Sequence, residues 1–65
     1  MSNEVLSKLY TERQALQEKI RKLKAFINES IVYEVLAQEK KDLLLEQLMV
    51  MNSYEDILSR RILLE

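Results

Sequence analysis

The sequence contains no cysteine, histidine, glycine, proline or tryptophan. Each absence excludes something. Without cysteine there are no disulfides and no thiolate metal sites. Without histidine the commonest zinc ligand and the commonest general base are gone. Without glycine no Gly-rich loop can cradle a phosphate, and tight turns lose their usual positive-φ residue. Without proline nothing interrupts a helix from within. Neither is there an excess of charge of one sign. The net charge of −1 argues against a dedicated surface for duplex DNA, which would be strongly basic. No stretch approaches 18 consecutive apolar residues, so no membrane span is expected. The opening residues, MSNEVLSKLY, carry neither the basic region nor the apolar core of a signal peptide, and the chain reads as cytoplasmic.

These gaps also bear on catalysis. The carboxylates fall in solvent-facing helical patterns, and no serine has a histidine base. No EF-hand loop or Glu-x-x-His motif offers a metal site. The expectation is a non-enzymatic protein without a cofactor.

What the chain does have is 48% hydrophobic and 32% charged residues, the balance of a helical or coiled-coil protein. Its 65 residues form a single domain, 1–65, whose core would be small and marginal alone. With disulfides excluded, association with a partner chain is the remaining source of extra stability.

The spacing predicts a helix over 3–27, capped by Ser2 or Asn3. Leu6, Leu9, Leu16, Ile20, Leu23 and Ile27 alternate by three and four, with one gap filled by Arg13. This is a heptad-like seam. Glu4–Lys8 and Glu18–Lys22 are favourable pairs on its outer side. The segment FINES holds Asn28 and Ser30, which favour helix ends. The apolar IVYEVLAQ that follows has strand propensity but no partner strand. A short helical turn over 30–36, capped by Ser30, is therefore expected. A second long helix follows over 38–64. The fold class is an all-α antiparallel two-helix hairpin with a short helical turn at its tip.

The second long helix carries two apolar stripes. Leu44, Leu48, Met51, Leu58 and Ile62 form one, interrupted by Glu55. Leu43, Val50, Ile57 and Leu64 form the other, with Gln47, Tyr54 and Arg61 interleaved. Together they exceed the apolar face that one neighbouring helix covers. A homo-oligomeric helical bundle, at least a dimer, is the economical arrangement. Its interface residues would be Gln47, Val50, Tyr54, Ile57 and Leu64.

Basic residues are the remaining signal. In KIRKLK four cations fall within residues 19–24. They either complement a helix C-terminus or form an anion pocket, with Lys19 and Lys22 on one face. Arg13 sits on the first seam, level with about residues 55–58 of the returning helix. It either pairs with Glu55, fixing register, or meets an anion if Glu55 is engaged elsewhere. Asp56–Arg60 is an ordinary helical pair, which leaves Arg61 beside Tyr54 and Gln47. That trio is either a polar ladder in an interface or one wall of a pocket. In a pocket, Tyr54 would stack on a nucleobase and Arg61 would hold a phosphate.

At EKIRKLKAFI and LLLEQLMVMNSYEDILSRRI the chain resembles a family of short helical-hairpin proteins of tailed phages and prophages. The shared positions are Lys19, Lys22, Leu23, Phe26 and Ile27, then Leu43, Leu44, Gln47, Leu48, Met51, Tyr54, Ile57, Leu58, Arg61 and Ile62. The segment between them, NESIVYEVLAQEKKD, departs most from the pattern. The resemblance implies a phage origin and a small helical homo-oligomer. By analogy of size, architecture and charge placement, it points to the phage nucleotide sponges, which hold the signalling nucleotides of bacterial defence in basic pockets between subunits. On that expectation Lys19, Lys22, Arg13, Tyr54 and Arg61 meet the ligand. The alternatives are a helical module that docks on and inhibits a host protein, and a structural coiled-coil adaptor.

Overall fold

A computed structural model describes residues 2–65, with side chains from Asn3 onward. The capping expected of the Ser2 side chain lies outside what is described, and Asn3 lies within the first helix. Three helices follow one another: α1 (Ser2–Glu29), α2 (Ile31–Glu34) and α3 (Gln38–Leu64). The long helices run antiparallel, and α2 folds over the turn between them. The hairpin measures 49 × 15 × 12 Å. A body two helices thick has little interior, and this one buries Leu9, Leu16, Ile20, Leu58 and Ile62, with Leu6, Leu48 and Met51 packed against them. Those are positions of the two seams read from the sequence. The alternation by three and four holds them toward the partner helix over several turns.

At the tip, α1 runs through Asn28 to Glu29 and stops where Ser30 adopts extended backbone. The hydroxyl of Ser30 accepts a hydrogen bond from the Val32 amide at 3.1 Å. One of the orphan donors at the start of α2 is thereby satisfied. The Phe26 and Tyr33 rings meet edge to face at 5.9 Å, and Lys41 Nζ lies 5.6 Å from the centre of the Tyr33 ring. These contacts clip α2 between the ends of the long helices. Ser30→Ala is expected to cost about 1 kcal/mol, read as a lower urea midpoint at unchanged slope.

The second stripe of α3 has no cover within the hairpin. Leu43 is 64% exposed, Val50 62%, Ile57 45%, Tyr54 39% and Leu64 85%. Among the described residues no helix is long and apolar enough to cross a membrane.

Candidate functional site

Two hydrogen bonds fix how α1 and α3 lie against each other. Gln17 Nε2 donates to Glu55 Oε2 at 2.9 Å, and Arg13 Nη1 donates to Ser59 Oγ at 3.2 Å. Ser59 in turn donates to Glu55 Oε2 at 3.2 Å. Arg13 is thus bridged to Glu55 by a hydroxyl instead of pairing with it directly, and it lies level with Ser59, just beyond the window expected for it. The guanidinium carbon of Arg13 is also 5.3 Å from the centre of the Tyr10 ring, within cation–π range. Tyr10, Arg13, Gln17, Glu55 and Ser59 therefore form a polar clasp along one flank of the hairpin.

The rotation of about 100° per residue places the other candidates. On α3, Glu55 and Ser59 fall to one side of the buried Leu58 and Ile62. Gln47, Tyr54 and Arg61 fall to the other side, with Val50, Ile57, Leu43 and Leu64. On α1, Arg13 and Gln17 lie to one side of buried Leu9, Leu16 and Ile20, and Lys19 and Lys22 to the other. Because the two hydrogen bonds join the first pair of sides, the second pair shares the opposite flank. Within one chain the structure brings Lys19, Lys22, Tyr54 and Arg61 to a common flank and sets Arg13 on the far one. The same register, 17 against 55 and 13 against 59, puts Lys19 level with Ser53 and Lys22 level with Val50.

The electrostatics of this flank follow from which cations are already paired. Lys8 pairs with Glu4 at 3.9 Å and Arg60 with Asp56 at 3.0 Å, as the sequence spacing predicts. Glu18, expected to pair with Lys22, instead grips Arg21, whose Nε donates to Glu18 Oε1 at 3.1 Å while Nη2 donates to Oε2. The forked guanidinium engages both carboxylate oxygens, which an ammonium cannot do. That hydrogen bonding lowers the Glu18 carboxyl below its ordinary value and raises Arg21 above its own. Among the described residues, Lys19, Lys22 and Arg61 take part in none of the ion pairs.

Helix electrostatics do not account for the cluster either. Since α1 continues to Glu29, its last turn contains no basic residue, and the macrodipole acts mainly on the final turn. Lys19 and Lys22, in none of the ion pairs although the charge of Lys22 also acts on Glu18, thus lie with a half-exposed tyrosine and an arginine along an apolar stripe. Such a surface can neutralise phosphate, stack on a base and exclude water, and it holds no group poised to break a bond. Gln47 contributes less, with Nε2 turned toward Met51 Sδ at 3.8 Å. Tyr10 escaped the sequence reading. Its three-residue spacing to Arg13 was the available signal, since residues three apart on a helix are neighbours. A surface depression lined by Thr11, Gln14, Ala15 and Glu18 lies on the outer face of α1, one turn before Lys19 and Lys22, since Ala15–Lys19 and Glu18–Lys22 are each four residues apart.

The family model described as Sequestin matches residues 3–64. No curated protein and no solved structure matches the chain.

Proposed function

This chain belongs to the Sequestin family, a sequestering rather than a catalytic family, and from that premise we propose that it binds and holds a nucleotide second messenger in basic pockets between copies of itself. The observation that carries this reading is the flank where Lys19 and Lys22, free of ion pairs, run beside the exposed stripe bearing Tyr54 and Arg61. Lysines supply charge to the phosphates. Tyr54 offers a stacking face to a base. Arg61 offers a planar fork to a phosphate. Arg13 retains guanidinium donors beyond the one given to Ser59 and reaches a ligand on this flank only from another copy. The protein acts as a phage anti-defence factor in the bacterial cytoplasm, removing a signal from solution without altering it.

A panel of cyclic di- and trinucleotides and ADP-ribose derivatives tests this by thermal shift. A ligand at a hundredfold its Kd stabilises by about 2.7 kcal/mol, which for a domain of this size raises Tm on the order of 10 °C. The Lys19→Glu/Lys22→Glu variant is expected to remain folded, because both positions are exposed, and to lose the shift. Indifference of the unmodified protein to the whole panel would reject the reading and favour a host protein docked on the stripe of α3.

A further inference from the structure

The tip of the hairpin breaks two local rules at once. Ile31 is 76% exposed, Val32 60% and Val35 76%, although a turn favours polar side chains. Glu29 stands in the last turn of α1, where a negative charge opposes the helix macrodipole. Conflicts between local preference and fold concentrate at surfaces with another task.

Neither feature is needed to close the hairpin. Tyr33 does that, packing on Phe26 with Lys41 over its ring. Val35 is four residues from Ile31 and three from Val32, so the three share the side of α2 turned away from Tyr33. The backbone that carries them is fixed. The Glu34 amide donates to the Ser30 carbonyl at 3.4 Å, the Val35 amide to Ile31 at 3.3 Å and the Leu36 amide to Tyr33 at 3.1 Å. All three side chains are β-branched and stiff at χ1, so little rotamer freedom is left to lose on binding. They form a preorganised apolar knob.

Charge selects what fits this knob. Between residues 28 and 44 the chain carries four carboxylates, Glu29, Glu34, Glu39 and Asp42, against two lysines. Lys41 is held at the Tyr33 ring, and Asp42 accepts a hydrogen bond from Gln38 at 2.8 Å. Among the described residues, Glu29, Glu34 and Glu39 take part in none of the ion pairs. The negative end of the α1 dipole adds to their field. Such a surface repels nucleic acid and anionic lipid headgroups. A tip-to-tip pair of copies would set the same carboxylates against each other. A basic amphipathic helix satisfies both the apolar knob and its acidic border.

We propose that the tip is a docking knob for a basic amphipathic helical segment of another protein. Ile31, Val32 and Val35 are covered by its apolar face, and Glu29, Glu34 and Glu39 draw in its lysines and arginines. The contact is small by the standard of stable interfaces, which makes it a transient one. It goes beyond the nucleotide reading and does not depend on it.

The probe is a synthetic helical peptide of leucine and lysine, about 14 residues or four turns long, with its leucines on one face. A second peptide carries glutamate in place of lysine. Each is titrated into the unmodified protein while the methyl signals are followed by nuclear magnetic resonance. The lysine peptide should bind, move the signals of Ile31, Val32 and Val35, and weaken as salt is raised. The glutamate peptide should not bind. Ile31→Ser/Val35→Ser is expected to stay folded, since both positions are exposed, and to weaken the lysine peptide by about tenfold or more. Glu29→Gln/Glu34→Gln should weaken it and flatten its salt dependence. Equal binding of the two peptides would overturn the proposal. So would shifts at Val50 and Ile57 with the tip unmoved. A lower mass for Ile31→Ser/Val35→Ser than for the unmodified protein would make the knob a contact between copies, and would also overturn it.

Discussion

Ile57→Glu is expected to convert the assembly to single chains while leaving each hairpin folded. In the hairpin Ile57 is 45% exposed, so a glutamate there keeps its water, and as a better helix former than isoleucine it costs the helix nothing in propensity. Were the stripe paired with a second copy, as proposed, the same position would be covered by the partner. A carboxylate at that place would be stripped of water among apolar neighbours, a cost that Arg61 one turn away offsets only in part. Light scattering should report half the mass or less, and far-ultraviolet circular dichroism should report undiminished helix. An unchanged mass would mean that the stripe is not the surface through which copies meet.

Its neighbour should behave in the opposite way. Leu58 is fully buried, with 0% exposure, on the face that α3 turns to α1. Leu58→Ala removes branched carbon from a core of five buried residues, and such truncations cost about 2–5 kcal/mol. For a chain this small that is a large share of the total stability. The variant should lose most of its cooperative urea transition. If Leu58→Ala unfolded at the midpoint of the unmodified protein, the seam between α1 and α3 would not be the core of the hairpin. The two substitutions, one residue apart, separate the surface that builds the hairpin from the exposed stripe proposed to join copies.

The hairpin was legible in the sequence because two features agree. The seams of α1 and α3 alternate by three and four, and with no glycine or proline in the chain the break falls at the tip, where Asn28 and Ser30 favour helix ends. The details that escaped depend on quantities that spacing does not carry. Asn28 favours a helix end, yet α1 reaches Glu29 and the break falls at Ser30, which caps α2. The spacing leaves Arg13 either paired with Glu55 or meeting an anion with Glu55 engaged elsewhere, and the register sets it level with Ser59, whose hydroxyl comes between it and Glu55. Lys22 was assigned to Glu18 by its four-residue spacing. The guanidinium of Arg21, three residues away, takes the carboxylate by using both oxygens. Each of these is a choice among near-equivalent partners within one turn.

The candidate site was legible as a set of residue types and less so as a place. Lys19, Lys22, Tyr54 and Arg61 were chosen for charge, stacking and spacing, and the rotation of the two helices brings them to one flank. Arg13 was chosen because it interrupts a seam. The feature that made it conspicuous also ties it into the clasp with Tyr10, Ser59 and Glu55 on the other flank. Which flank a seam-edge residue takes depends on the sense in which the two helices are rotated against each other, and that is settled by the Gln17–Glu55 and Arg13–Ser59 contacts.

A surface of lysines, an arginine and a tyrosine, in a chain with no histidine, cysteine or glycine, suits the proposed retention of a ligand better than its conversion. The most direct measurement is therefore the fate of the bound nucleotide. The protein is incubated with whichever cyclic nucleotide or ADP-ribose derivative shifts its melting, separated from free ligand, denatured by heat, and the released material identified by mass. The account predicts that nucleotide returns chemically unchanged, in fixed proportion to protein. Recovery of a cleaved or modified product, or of no nucleotide at all, would contradict it.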